Sequence, residues 1–106
     1  MNTLTLRPGA NAENVFARSK PDYIDARVLV AAVEQTHTKP GGANFCLFSS
    51  DGDFYARPDA TAAVPGSAVT NGSAAELNPT IWDVHDVAAI HLIAPAGQVV
   101  TMSFYK

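Results

Sequence analysis

A single cysteine, Cys46, stands in 106 residues, so no intramolecular disulfide can form and the cross-linked scaffolds of small secreted proteins are excluded. An intracellular folding environment fits that composition. Positive charge is also scarce. Seven Lys and Arg against ten Asp and Glu give a net charge of −3, and no basic block supplies the stripe that neutralises phosphates. Nucleic acid is therefore not an expected partner. No apolar run approaches the ~20 residues needed to span a bilayer, and Met1 to Ala10 has neither the charged start nor the apolar stretch of a signal peptide. The expectation is a chain soluble where it is made, with no membrane partner. No fixed-period self-similarity is present, which excludes repeat architectures.

What is present is apolar surface. Hydrophobic residues make up 47% and charged residues 16%, enough to offset chain entropy and form the core of one domain over residues 1–106. Its periodicity is that of strands. Ala88 to Ala94 and Val99 to Tyr105 alternate apolar and polar around the turn-forming Pro95-Ala96-Gly97-Gln98, the pattern of a β-hairpin with Ile90, Leu92, Val100, Met102 and Phe104 on the core side. Asn44 to Arg57 reads as a second hairpin, with Phe45 to Phe48 in one strand, turn chemistry at Ser49-Ser50-Asp51-Gly52, and a strand resuming at Asp53.

Arg27 to Thr38 is β-prone and ends at Lys39-Pro40-Gly41-Gly42. A strand is favoured over a helix through Ala26 to Gln35 by its β-branched density. Between Pro58 and Trp82 the composition turns to small and polar residues with Asn71-Gly72 and Asn78-Pro79 as breakers, which reads as either a long ordered arm or one or two short edge strands. Loops longer than about 12 to 15 residues are uncommon unless they bind something or are flexible, which marks this segment as a candidate interface. Residues 1–25 read as an N-terminal arm or edge segment. Leu4 and Leu6 alternate as a short strand, Pro8-Gly9 breaks it, and Asn11 could cap one helical turn through Val15 and Phe16. The sum is an all-β domain, a small antiparallel β-sandwich or jelly roll with an N-terminal arm and a long loop between hairpins.

The chemistry-bearing residues do not form a motif. His37, His85 and His91 lack zinc-site spacing, and His91 falls on the polar face of its strand as an ordinary surface imidazole would. Gln35-Thr36-His37-Thr38 before a Pro-Gly turn suggests a cupin, but that class needs paired histidines near a glutamate. Asp51-Gly52-Asp53 opens like a calcium loop without the later ligands, so a turn explains it better. Ser67 and Ser73 lack a nucleophile elbow, and Asn71-Gly72-Ser73 reads as a turn. Cys46 reads as a buried, inert thiol. Tyr55, Trp82 and Tyr105 could form a sugar-stacking platform, with Trp82 as an edge plug the favoured reading. No catalytic residue, metal ligand or cofactor is expected.

Gly52-Asp53-Phe54-Tyr55-Ala56-Arg57, Thr61-Ala62-Ala63-Val64-Pro65, Gly72-Ser73 with Glu76-Leu77-Asn78-Pro79, Ile90 to Pro95 and the closing Phe104-Tyr105 together resemble small virion structural proteins of tailed bacteriophages. The resemblance covers roughly the last two thirds of the chain. It implies a non-enzymatic virion component, capsid-decorating or tail-associated, made in the host cytoplasm. Its expected partners are itself, as a homo-oligomer with a trimer favoured, and other virion proteins. The expected assembly contacts are Thr61, Val64, Pro65, Val69, Leu77 and Pro79 in the long segment and Leu4 and Leu6 in the arm. A carbohydrate-binding module on the particle surface and a small metal-dependent β-barrel enzyme are the competing expectations.

Overall fold

The computed structural model describes residues 1–9 and 12–106. Ten strands run in chain order: β1 (Leu6–Gly9), β2 (Ala12–Arg18), β3 (Ile24–Leu29), β4 (Gln35–Thr38), β5 (Phe45–Ser50), β6 (Tyr55–Pro58), β7 (Glu76–Leu77), β8 (Ile81–Asp83), β9 (Ala89–Ile93) and β10 (Gln98–Tyr105). No helix occurs among the described residues. Every pairing is antiparallel.

β1 and β2 form a hairpin of their own, and the other eight strands form two four-stranded sheets in the orders β3-β10-β5-β8 and β4-β9-β6-β7. From β3 onward the chain changes sheet at every connection except the one from β6 to β7. Eight strands wound between two sheets in this order make a jelly roll.

This winding corrects the two expected hairpins. β9 and β10 are strands as their alternation predicts, but they lie in opposite sheets, and so do β5 and β6. Alternation fixes which face of a strand is buried and leaves its partner open. A hairpin would put Ile90 and Leu92 on the same side as Val100, Met102 and Phe104, and that side would then need a separate cover. Crossing between sheets lets the two sets face each other, and all five side chains are fully buried. Phe48 of β5 likewise meets Phe54, just before β6, across the sandwich with ring centroids 5.8 Å apart.

Arg27 to Thr38 is also two strands in different sheets. The break lies at Val30 to Glu34, where Ala32 takes φ 59° and donates its N–H to the Ala94 carbonyl at 2.8 Å. At the N-terminus, Val15 and Phe16 lie in β2 and not in a helical turn. The proposed cap, Asn11, lies outside the described residues.

The core joins Leu29, Cys46, Val100, Met102 and Phe104 of one sheet to Ala56, Ile90 and Leu92 of the other, with Phe54, Val84 and Ala94 from the connections. The sandwich is closed at one side by Trp82, which packs edge-on against Phe48 at 5.0 Å. The other side is closed differently, by polar side chains.

Candidate functional site

That polar closure lies between the edge strands β3 and β4. Alternation turns Asp25 and Arg27 of β3 inward, where a longer apolar run would have placed aliphatic side chains. They meet His37 and Gln35 of β4. Arg27 Nε donates to His37 Nδ1 at 2.9 Å, and Arg27 Nη1 donates to Gln35 Oε1 at 3.2 Å. With Nδ1 accepting, the remaining ring proton sits on Nε2 and is donated to Asp25 Oδ2 at 2.7 Å. The imidazole also stacks on Phe104, 5.9 Å between centroids and 13° between planes. Both ring nitrogens are therefore engaged, so the His37 imidazole has no free lone pair to ligate a metal or take a proton from a substrate. The shallow cavity beside it, about 310 Å³, is lined by Asp25, Arg27, Gln35 and His37.

The other two histidines stand elsewhere. His91 is not an ordinary surface imidazole: its side chain is 18% exposed, and Nδ1 lies 2.8 Å from Glu34 Oε1 and 3.3 Å from Thr36 Oγ1. His85 is exposed and hydrogen-bonds Asn44 Oδ1 at 3.0 Å through Nδ1. Among the described residues, no three His, Cys, Asp or Glu side chains converge in a group that could hold a metal ion.

Asp51 and Asp53 act as turn residues. Asp51 Oδ1 accepts the Val99 N–H at 3.0 Å, and Asp53 Oδ1 accepts from Asn78 Nδ2 at 2.9 Å, while Asn78 Oδ1 accepts the Phe54 N–H. The three aromatic candidates do not form a platform. Tyr105 is fully buried, Trp82 is half-buried in the first sheet with Nε1 donating to Glu76 Oε1 at 3.1 Å, and Tyr55 lies in the second sheet.

Cys46 is fully buried, and burial, reinforced by the negative charge of Asp25, pushes its thiol up to about 12. The native chain is expected to resist alkylation at pH 8 and to react at once in denaturant, read by mass spectrometry. The sign of the pH effect follows. An unfolded chain ionises this thiol above about 8.5 while the folded chain keeps it protonated. Stability linked to Cys46 is therefore whole below that value and is lost as pH climbs toward about 12, and Cys46→Ala is expected to flatten that decline.

The expected assembly residues divide between inside and outside. Pro79 is buried in its own domain, so it is not available to a neighbour. The start of the long loop also turns inward: Ala62 is buried, its N–H donates to Glu34 Oε2 at 2.9 Å, and Arg57 Nη1 donates to the Thr61 carbonyl at 3.2 Å. Val64 is half-buried, and residues 65–72 are all exposed, with Val69 43% exposed; further on, Leu77 is 49% exposed. Through Glu34 and Arg57 the start of the loop is held beside His91 on the outer face of the sheet β4-β9-β6-β7, of which β7 is an edge strand.

The N-terminal hairpin is tied down at its base. Tyr105 Oη donates to the Ser19 carbonyl at 2.8 Å and accepts from Arg18 Nη1, and Ser19 Oγ donates to the Thr3 carbonyl at 2.7 Å. Leu4 N donates to the Lys106 carbonyl at 3.1 Å, which extends the pairing beside the end of β10. Beyond that base β1 pairs with β2 alone, and Leu6 is 68% exposed. The molecule measures 48 × 28 × 27 Å.

The outer face of the sheet β3-β10-β5-β8 was not anticipated from sequence. Its registers set Val28 beside Val99, Ala26 beside Thr101 and Ser49, and Ile24 beside Ser103, Leu47 and Ile81. The signal was present in the sequence as the outward half of each alternating strand. Those positions carry apolar and hydroxyl residues where a solvated face ordinarily carries charge. Comparison with protein-family models, with curated proteins and with solved structures finds no match to this chain.

Proposed function

We propose that this chain is a non-enzymatic structural subunit of a bacteriophage virion. It assembles as a homo-oligomer, with a trimer as the first expectation, and decorates or stabilises the capsid or forms part of the tail. The observation that carries this reading is the division of the molecule into a closed core and two outlying segments. Leu6, Arg7, Ala17 and Arg18 of the hairpin β1–β2 and residues 65–72 are exposed, while the bases of both segments are fixed to the jelly roll. A two-stranded hairpin in water is marginal without further cover, which favours a contact with a neighbouring molecule. The jelly roll recurs in capsid proteins and also in lectins and cupins, so the architecture supports the reading by analogy of fold alone.

The histidines and aromatics lend no comparable support to the alternatives, because neither set converges. Particles purified from cells that carry the gene are expected to contain the chain at a fixed copy ratio to the main shell or tail protein, measured by quantitative mass spectrometry. Abundance in the lysate together with absence from the particles would overturn the proposal.

A further inference from the structure

We infer that the outer face of the sheet β3-β10-β5-β8 is a self-association surface that pairs with the same face of a second copy across a two-fold axis. The inference rests on the self-assembly reading above and adds to it which surface the copies share.

The sheet's edges are guarded, whereas its face is open except at the end of β10, where the base of the N-terminal hairpin covers Tyr105. At the β3 edge, Gln35 Nε2 donates to the Val28 carbonyl at 2.8 Å, and the inward charges of Asp25 and Arg27 are of the kind that disfavours strand addition. At the opposite edge β8 is only three residues long. A neighbour therefore finds no ready ladder to extend. The face is different. Val28 is 69% exposed, Ile24 54% and Ile81 48%, and the two central rows, Ala26-Thr101-Ser49 and Ile24-Ser103-Leu47, hold no charged side chain. In a chain with ten acidic and seven basic residues, that neutrality is what lets the face meet a copy of itself without like-charge repulsion. Ala26, Ser49 and Ser103 are small, which suits the ~10 Å spacing of sheets packed face to face.

Area sets the strength. Three strands about 4.8 Å apart and some six residues long, with the short β8 beside them, cover about 330 Å² per copy, less than half of the ~800 Å² per partner of a standard stable interface. The pair is consequently weak in isolation and strengthened where many copies are held side by side. An isologous contact closes on itself, so it doubles whatever assembly the outlying segments build, taking a monomer to a dimer or a trimer to a hexamer.

Thr101 stands at the centre of the face, between Ala26 and Ser49. In sedimentation velocity on the full chain at a few hundred micromolar, Thr101→Lys and Thr101→Glu are each expected to halve the wild-type mass. An equimolar mixture of the two is expected to restore it, because opposite charges then meet at the axis. Circular dichroism and melting establish that each variant is folded. If the central-strand change prevents folding, Val28→Lys on the exposed edge strand is expected to give the same halving. Wild-type mass retained in the folded variants would overturn the inference. If Leu6→Glu dissolves the assembly while Thr101→Lys does not, the face fails and self-assembly through the arm stands. A wild-type chain that is monomeric throughout would defeat both.

Discussion

Phe104→Ala is expected to lower the unfolding free energy by about 3–5 kcal/mol, a large fraction of the ~5–15 kcal/mol that holds a domain of this kind together. Phe104 is fully buried on β10, the strand that sits between β3 and β5 and supplies Val100 and Met102 to the same core. Its ring is also held from both sheets: Tyr23, next to β3, meets it edge-on at 6.1 Å, and His37 of β4 stacks on it. Truncation removes apolar area and leaves a cavity bounded by strands of both sheets, which cannot collapse without shifting β10. The melting temperature is expected to fall by on the order of 12 °C or more. Ser103→Ala, one residue earlier and on the outer face, is expected to change stability by less than about 0.5 kcal/mol. Equal effects at the two positions in a urea titration would contradict the inside–outside assignment of β10.

Asp25→Ala is the second large effect, expected at about 2 kcal/mol. Asp25 accepts the Nε2 proton of His37 and lies in the same polar closure as Arg27. Removing it leaves an inward-facing guanidinium and an imidazole whose donor has lost its acceptor, and a charge-assisted hydrogen bond of this kind contributes about 1.5–3 kcal/mol. The figure stays below that for breaking a fully buried pair because the Asp25 side chain is 32% exposed. A double-mutant cycle with His37→Leu isolates the pair, with a coupling of about 1 kcal/mol expected between the two positions. Additivity within about 0.3 kcal/mol would show that the two side chains act independently.

These two positions mark where the sequence was legible and where it was not. Alternation alone places Phe104 in the core, because period 2 tells inside from outside within one strand. The same signal could not say that β9 and β10 belong to different sheets, since Pro95-Ala96-Gly97-Gln98 suits a hairpin turn and a crossing between sheets equally well. The jelly-roll winding depends on which apolar faces cover each other, a property of all eight strands together. Asp25, Arg27 and His37 were invisible as a group for a related reason. Arg27 and His37 lie ten residues apart in a run that reads as one strand, with Asp25 just before it at the end of the N-terminal segment, and the three meet only because Val30 to Glu34 breaks the run into two.

The outlying segments were only partly legible. The small, polar composition between Pro58 and Trp82 correctly marks an exposed stretch at residues 65–72, yet Ala62 and Pro79 at its ends are buried in the domain that carries them. Composition reports the mean of a segment, whereas anchoring rests on single contacts such as Glu34 with the Ala62 N–H. Tyr105, a candidate binding aromatic by sequence, is instead the post to which the N-terminal hairpin is tied.

This jelly roll is proposed as a subunit that meets its own copies. Light scattering on the eluting full chain, from low to high micromolar, measures this directly. The mass is expected to rise to a whole multiple of the 11.2 kDa chain, with three copies as the first closed state. A mass of one chain at every concentration would contradict the account.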